Sequence, residues 1–304
     1  GEIKPVFYIE LDGKLYFGFT PRLRLFYEKE IYDGLSKEQR DNSLDYCKSM
    51  FGFATDNESY RSRLSFQEAV IDKNISENGK TAVVLGEPKP TSYLDYLVGK
   101  NGEAVTYRGD FALRGMKQYW LHTKEAASVL GNNKDVGSDF YPYPKETSFT
   151  GQIRFSNLSE EELGMLLWSL LLEKNSQQNI GKGKPYGFGR VEISLKQLNI
   201  LDTAAMYDSE TLCLEPYREE KELCSEYVDK AKKDMTRFLG KDVMEHPPVR
   251  DFLLMKNGNE IPDDSKTHYM SIEGRDSDYQ VRNREQIPLD TIGVVMGKEK
   301  RKTQ

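Results

Sequence analysis

The sequence has few of the residues that build disulfide frameworks and metal centres. Its 304 residues include three histidines and three cysteines, Cys47, Cys213 and Cys224. The cysteines are odd in number and form no Cys-x-x-Cys pair, so a disulfide framework is not expected. The histidines have no ligand-like spacing to one another or to a cysteine, which argues against a structural zinc site. We therefore expect no metal and no cofactor.

Long apolar runs are also missing. No stretch approaches the length of about 20 apolar residues that a membrane-spanning helix needs. Residues 1–5 lack the basic and apolar regions of a signal peptide. These two absences predict a cytoplasmic protein without a membrane partner.

The chain has no excess of basic residues. It contains 43 Lys and Arg against 49 Asp and Glu, which gives a net charge of −6. An evenly basic surface is therefore excluded. Nucleic-acid binding, however, depends on the local potential of a groove rather than on the total charge. If this chain binds RNA, its positive charge must be concentrated in one place.

The pattern of apolar residues predicts an α+β fold. Residues 6–19 form two aromatic and β-branched runs around Asp12-Gly13, which is typical of a β-hairpin. The spacing of apolar residues predicts helices over 36–50 and 216–239, and alternation predicts a strand over 62–71. The apolar face predicted for the second helix consists of Cys224, Val228, Ala231, Met235 and Phe238.

Residues 148–195 give the clearest prediction, a β–α–loop–β unit. Alternation predicts a strand over 148–155, and Ser159 with Glu162 forms a capping box at the start of a leucine-rich helix. A second strand is predicted over 188–195. Such a unit is one half of a ferredoxin-like fold.

A glycine-rich loop joins that helix to the second strand. It consists of Gly181, Lys182, Gly183, Lys184, Pro185, Tyr186, Gly187, Phe188, Gly189 and Arg190. Glycine permits positive φ and leaves backbone N–H groups accessible to a phosphate. Lysine and arginine attract phosphate, and tyrosine and phenylalanine can stack on bases. Between Glu173 and Glu192 there are four basic residues and no acidic one, so the loop concentrates positive charge.

The residues of this loop also bear on three other kinds of glycine-rich loop. A P-loop requires lysine followed by serine or threonine, whereas Lys184 is followed by Pro185. The glycine spacing is not that of a dinucleotide-binding fingerprint either. A tight turn that serves only the packing of helix and strand also explains the glycines, and this alternative stays open.

The helix and loop together are similar to the glycine-rich signature of the RAMP superfamily, the ferredoxin-like subunits of CRISPR effector complexes. Residues 23–27, 51–53 with 63–66, and 107–122 further resemble a branch found with type III CRISPR systems. Ser62 stands where the family pattern has glycine. Family members usually carry another RAMP half before the matched region, so the resemblance implies that this chain is either an incomplete copy or the later half of the usual chain.

The resemblance covers roughly residues 5–200 and sets the expected architecture. It implies a ferredoxin-like, RRM-like RAMP core with long insertions over 1–200. A partly helical C-terminal extension with a basic tail follows over 201–304. The implied function is RNA binding in a CRISPR effector ribonucleoprotein, with CRISPR RNA or target RNA and other effector subunits as partners.

Basic and aromatic residues also gather outside the loop. A second RNA-contact surface is predicted at Arg108, Arg114, Lys117, Tyr119 and Trp120. A weaker one is predicted at Arg22 and Arg24. The alternative in both places is a strand with buried aromatic rings and solvated charges.

His122 is the histidine nearest to a candidate surface. It is the candidate catalytic residue for metal-independent RNA cleavage, which requires an exposed position near Lys117 or Tyr119. The alternative is an ordinary structural histidine. We expect RNA binding without catalysis. An endoribonuclease that processes CRISPR precursor RNA and a structural subunit that makes no RNA contact are the two rival functions.

Overall fold

The computed structural model describes residues 3–22, 25–40, 43–73, 75–86, 91–126, 137–207, 216–272 and 274–300. The chain is mixed α and β, and its strands pair into small antiparallel sheets. The strands are β1 (Phe7–Leu11), β2 (Lys14–Gly18), β3 (Phe53–Ala54), β4 (Ser59–Tyr60), β5 (Leu64–Phe66), β6 (Val70–Ile71), β7 (Thr81–Val84), β8 (Leu97–Val98), β9 (Ala112–Leu113), β10 (Gly137–Phe140), β11 (Phe149–Thr150), β12 (Ile153–Phe155), β13 (Gln178–Asn179), β14 (Arg190–Val191), β15 (Asn199–Leu201) and β16 (Tyr217–Glu219). The α-helices are α1 (Lys37–Arg40), α2 (Tyr46–Phe51), α3 (Tyr93–Tyr96), α4 (Glu160–Leu171), α5 (Thr203–Met206), α6 (Cys224–Leu239), α7 (Pro247–Lys256), α8 (Asp264–Thr267), α9 (Asp278–Glu285) and α10 (Ile292–Val295).

The sheets are small. Each sheet within the described ranges has two strands, so these strands form no four-stranded ferredoxin-like sheet. The ferredoxin-like core therefore stays a prediction. No helix in the same ranges is long and apolar enough to cross a bilayer.

The predicted N-terminal hairpin is confirmed. Strands β1 and β2 pair in antiparallel register from Phe7↔Gly18 to Leu11↔Lys14. The two residues between them, Asp12 and Gly13, have φ values of 52° and 73°. Two consecutive positive φ values are what a two-residue hairpin turn of this twist requires, and Asp-Gly adopts them readily.

The helix predicted over 36–50 is wrong in its length. The structure has the short helices α1 and α2, and residues 43–45 before α2 are not helical. The Asp45 carboxylate accepts a hydrogen bond from the Lys48 amide at 2.7 Å, so this residue caps the start of α2. A capping aspartate favours a helix start and competes with the helix interior, which explains the interruption.

The strands predicted over 62–71 and 148–155 pair with each other, but each is interrupted. Strand β5 pairs with β12 and β6 pairs with β11. From the pair Ile153↔Phe66 to the pair Thr150↔Val70, the first segment advances by four residues, from 66 to 70. The second segment covers only three, from 153 to 150. One extra residue on the first strand is a β-bulge, which bends the ladder at this point.

Helices α4 and α6 form the centre of the core. Leu163 and Leu167 of α4 pack with Leu198 and with Tyr227 of α6. The helices cross closely because Gly164 has no side chain, and a Cβ there would lie 1.9 Å from the Tyr227 carbonyl oxygen. This core contains residues from both sides of residue 200, where the domain boundary stays a prediction.

The predicted capping box of α4 is confirmed and is part of a larger network. Ser159 Oγ accepts from the Glu162 amide at 3.2 Å, and Glu162 accepts from the Ser159 amide at 2.9 Å. Glu162 also accepts from Ser49 at 2.7 Å and forms an ion pair with Arg63. The carboxylate thereby ties α2 and the residue before β5 to the start of α4.

The helix predicted over 216–239 begins later than expected. Residues Tyr217–Glu219 pair with β15 as strand β16, and α6 begins at Cys224. Ala231 is fully buried, but the prediction that Phe238 faces the core is wrong, because this side chain is 80% exposed. Gly240 ends the helix directly after, so Phe238 lies in the last turn, past the contact with α4.

Candidate nucleic-acid interface

The glycine-rich loop connects two short paired strands. Strand β13 pairs with β14, so the strand predicted over 188–195 is confirmed only at Arg190–Val191. Between them a 3₁₀ turn over Lys184–Tyr186 is flanked by Gly183 and Gly187, both left-handed with φ of 72° and 87°. This backbone path strongly disfavours residues with a Cβ.

Crowding adds to this requirement at three of the four glycines. A Cβ would lie 2.7 Å from the Phe140 ring at Gly183, 2.4 Å from the Lys124 carbonyl oxygen at Gly187, and 1.8 Å from the Ile180 carbonyl oxygen at Gly189. Gly181 has φ of 71° and nothing within 4 Å. Packing therefore explains Gly183, Gly187 and Gly189, while Gly181 leaves an open backbone surface.

The two aromatic residues of the loop pack against the rest of the chain. Tyr186 donates a hydrogen bond to the Val84 carbonyl oxygen at 2.8 Å, and its ring lies 5.1 Å from that of Tyr269. Burial and the neighbouring Tyr269 raise the pKa of Tyr186 to about 12. Phe188 contacts Phe140 edge to face at 5.0 Å. These contacts hold the loop in place, and base stacking at either ring stays a prediction.

The cations of the loop divide into two groups. Lys182 is exposed, and the Lys184 ammonium donates to the Gly181 carbonyl oxygen at 2.7 Å and lies 5.2 Å from the centre of the Tyr119 ring. Lys117 places its ammonium 5.5 Å from the same ring centre. Arg190 instead donates to the His122 carbonyl oxygen at 3.0 Å. The structure thus brings Lys117 and Tyr119 of the second predicted surface to the loop.

A further lysine at this place was missed in the sequence. Lys256, the last residue of α7, is 2% exposed. Its ammonium donates to the Tyr119 carbonyl oxygen at 3.2 Å and to Asn179 Oδ1 at 2.6 Å. Burial, and then the charge of Lys184, lower the pKa of Lys256 to about 8. The apolar pattern of α7 would only have placed Lys256 at a helix end, where lysine is common.

These lysines differ from others in the described part of the chain in having no carboxylate at ion-pair distance. Within the described part of the chain, Lys117, Lys182, Lys184 and Lys256 make no ion pair with a carboxylate. We call this set the lysine cluster. Other lysines of the same chain are paired, for example Lys80 with Asp139 at 2.6 Å. The structure thus joins Lys117 and Lys256 to the predicted Lys182 and Lys184, while Arg190 donates to the His122 carbonyl oxygen. Contact of these residues with RNA stays a prediction.

The remaining predicted contact residues have other surroundings. Arg108 lies 3.9 Å from the Asp12 carboxylate, and Arg114 donates to the Leu289 carbonyl oxygen. Burial, and then the nearby Arg282, lower the pKa of Arg114. Trp120 is half-buried and Arg22 is exposed. Arg24 lies outside the described residues.

His122 is buried beside the loop. It is 7% exposed, and its Nδ1 lies 3.2 Å from Asp264 Oδ1. The Cβ of His122 also borders Gly187 of the loop. His122 therefore does not have the exposed position that RNA cleavage by this residue requires. These contacts are those of a structural histidine that positions the loop.

A large open cleft of about 1970 Å³ borders the loop at Gly187 and Arg190. Leucines of α4 line it, together with residues 145–160 and 190–201. Arg190 and His122 border it, but the lysine cluster does not. The charged side chains that line it are balanced, with six basic and six acidic. The cleft is therefore not a positive channel, and the positive charge lies with the lysine cluster.

Comparison with known proteins adds no assignment. No protein-family model matches the chain, and no curated protein matches it significantly. The function must therefore be argued from the residues and their geometry.

Proposed function

We propose that this chain is an RNA-binding subunit of a CRISPR effector ribonucleoprotein of type III character. In this proposal it is a cytoplasmic protein with a ferredoxin-like RAMP core, and its partners are CRISPR RNA or target RNA and other effector subunits. The protein holds the RNA backbone, and sequence specificity comes from RNA pairing.

The lysine cluster is the observation that carries this proposal. In this acidic chain, Lys182 and Lys184 flank the open backbone of Gly181. Lys184 also shares the Tyr119 ring with Lys117, and Lys256 donates to the Tyr119 carbonyl oxygen. Unpaired ammonium groups at one place produce a local positive potential, which is the main source of affinity for a polyanion. The net charge of −6 provides no overall attraction for RNA, so binding depends on a local concentration of this kind.

The parts of the loop have different tasks in this proposal. Lys182, Lys184 and Lys117 contact phosphate groups, since their ammonium groups are accessible or half-buried. Tyr186 and Phe188 hold the shape of the loop through their contacts with the chain. Lysine is suited to this task because its ammonium is a compact point charge that contacts phosphates without reading bases.

The structural rival also has an observation in its favour. Gly183, Gly187 and Gly189 are required by packing, and so a loop of this kind needs no ligand. Packing does not, however, account for the buried Lys256, which has no carboxylate partner among the described residues and is repelled by Lys184. We therefore favour RNA binding over a purely structural role.

The endoribonuclease rival depends on His122, which is buried. Its test is incubation of CRISPR repeat RNA with the protein and EDTA, for the wild type and His122→Ala. We expect no cleavage by either protein. Cleavage by the wild type that is lost in the variant would favour the enzyme instead.

The test of RNA binding is the dependence of RNA affinity on salt. Replacing Lys117, Lys182 and Lys184 together with alanine should flatten the slope of log K against log salt by about 2, from about 0.7 per lost phosphate contact. The matched control replaces Lys14, Lys80 and Lys230, which are paired with Glu28, Asp139 and Glu160. It removes the same charge and should keep most of the slope. Equal slopes in the two triple variants would exclude the lysine cluster as the RNA contact.

A further inference from the structure

Lys256 places a charged group inside the protein at the base of the lysine cluster. It is 2% exposed, and its ammonium is held by two neutral acceptors, the Tyr119 carbonyl oxygen and Asn179 Oδ1. An ammonium group has three N–H donors, so these partners leave one more. Neutral acceptors orient the group but do not neutralise it.

The charge of Lys256 is opposed by its surroundings. Lys184 is close enough to repel it and lowers its pKa. Lys184 itself lies over the Tyr119 ring, as does Lys117. Burying an ammonium group without a counter-ion is unfavourable, and like charges nearby increase that cost. An anion bound among the three groups would remove both penalties at once.

We infer that Lys117, Lys184 and Lys256 form a phosphate subsite beside Tyr119, which holds one phosphate group of the bound RNA. The identity of the phosphate as part of an RNA rests on the proposed function, whereas the preference for an anion rests on the three ammonium groups. The buried lysine fixes the position of the phosphate, and the two outer lysines close around it. Charge-assisted hydrogen bonds to a phosphate are stronger than those to neutral acceptors, so Lys256 gains a better partner when the anion binds.

A lysine that serves packing alone would behave differently. It would stabilise the fold through Tyr119 and Asn179, and neither phosphate nor RNA would change its energetics. The two roles are therefore separated by the response to a ligand, and stability by itself does not distinguish them.

The experiment uses the full chain as wild type, Lys256→Met and Lys184→Met, with Lys230→Met as the matched control. Lys184 is half-buried, and its ammonium donates to the Gly181 carbonyl oxygen and lies over the Tyr119 ring, so its variant is expected to fold even if the Lys256 variant does not. Inorganic phosphate is added first, and the thermal unfolding midpoint is recorded against chloride at equal ionic strength. We expect phosphate to raise the midpoint of the wild type and the control, and not that of the two subsite variants.

Short single-stranded RNAs with a 5′-phosphate or a 5′-hydroxyl end are then titrated into the same proteins. Loss of a subsite lysine should weaken RNA binding by about thirtyfold or more, as for removal of one partner of a desolvated charge contact. A loss confined to the 5′-phosphate RNA identifies a terminal phosphate, and an equal loss identifies an internal one.

The failure of this inference differs from that of the proposed function. If the wild type binds RNA and both subsite variants keep its affinity and its phosphate response, the subsite is overturned while RNA binding stands. If phosphate stabilises the wild type through these lysines but RNA does not bind, the subsite stands and the proposed function is wrong.

Discussion

The carbonyl oxygen of Tyr119 accepts a hydrogen bond from the buried ammonium group of Lys256 at 3.2 Å. This contact joins the end of α7 to the chain segment that runs beside the glycine-rich loop. The same ammonium binds Asn179 of β13, which leads into the loop. One lysine therefore positions three parts of the candidate interface.

Because Lys256 is buried as a cation, we expect the stability of the fold to rise with pH between about 8 and 10.5. Burial and the charge of Lys184 lower its pKa in the folded chain to about 8, below the ordinary value of 10.5. Its hydrogen-bond acceptors, the Tyr119 carbonyl oxygen and Asn179 Oδ1, are neutral. Between these two values the unfolded chain binds more protons, so folding becomes more favourable as pH rises, by about 3 kcal/mol in full. Chemical denaturation of wild type and Lys256→Met at pH 7.5 and 10 measures this. Because pH 7.5 to 10 spans only part of this window, the difference between the two proteins should change by about 2 kcal/mol. An identical pH dependence in both would exclude the charged, buried lysine.

Two glycines of the loop differ in what surrounds them although their backbones agree. Gly181 and Gly189 both have φ of 71°, but a Cβ would meet nothing within 4 Å at Gly181 and the Ile180 carbonyl oxygen at 1.8 Å at Gly189. Gly181→Ala should cost about 1 kcal/mol from the left-handed backbone alone. Gly189→Ala should cost about 3 kcal/mol or more, because β13 and β14 must separate. Urea denaturation of both variants checks this, and equal losses would contradict the close approach.

We expect the loss of the Glu162 carboxylate to lower the stability of the fold strongly. It accepts hydrogen bonds from Arg63, Ser49 and the Ser159 amide, and the Arg63 and Glu162 side chains are 18% and 16% exposed. Glu162→Gln should destabilise the chain by about 3 kcal/mol, since it leaves a partly buried guanidinium without its partner. Glu160→Gln is the control, because the pair of Glu160 with Lys230 is exposed and worth less than about 1 kcal/mol.

The Glu162 carboxylate should also make the stability of the fold depend on pH in the acid range. Burial raises the pKa of Glu162, but the hydrogen bonds from Arg63, Ser159 and Ser49 outweigh it and hold the pKa below its ordinary value. Its stabilising contribution is therefore complete above the ordinary value and is lost as the pH falls through the lowered one. Denaturation between pH 6 and 3 should show a steeper loss for the wild type than for Glu162→Gln. Parallel curves would mean that Glu162 is not held as a buried ion pair.

Local features of the fold were predictable from the sequence. The hairpin turn at Asp12-Gly13 and the capping box of Ser159 and Glu162 depend on neighbouring residues alone, and both are confirmed. Helix α6 begins late because residues 217–219 pair with β15, a contact that helical periodicity does not contain. Pairing of this kind is decided by tertiary structure, which overrides local propensity.

The candidate site was predictable only in part, for a similar reason. The concentration of cations at the loop follows from composition, and so Lys182 and Lys184 were found. The contacts that determine whether a side chain is buried or accessible come from residues far away in sequence. Examples are Tyr269, which contacts Tyr186, and Asn179, which binds Lys256. Lys256 carries no signal of its own, because a lysine at a helix end is ordinary until its burial is known.

The most direct test of the account is where RNA contacts the chain. Single-stranded RNA that carries 4-thiouridine can be photocrosslinked to the wild-type protein, and the linked peptides identified by mass spectrometry. The account predicts crosslinks in the peptides around Lys117 to Tyr119 and Gly181 to Lys184, which decrease in the Lys117, Lys182 and Lys184 triple variant. Crosslinks confined to the charge-balanced cleft, at residues 148–156, would contradict it.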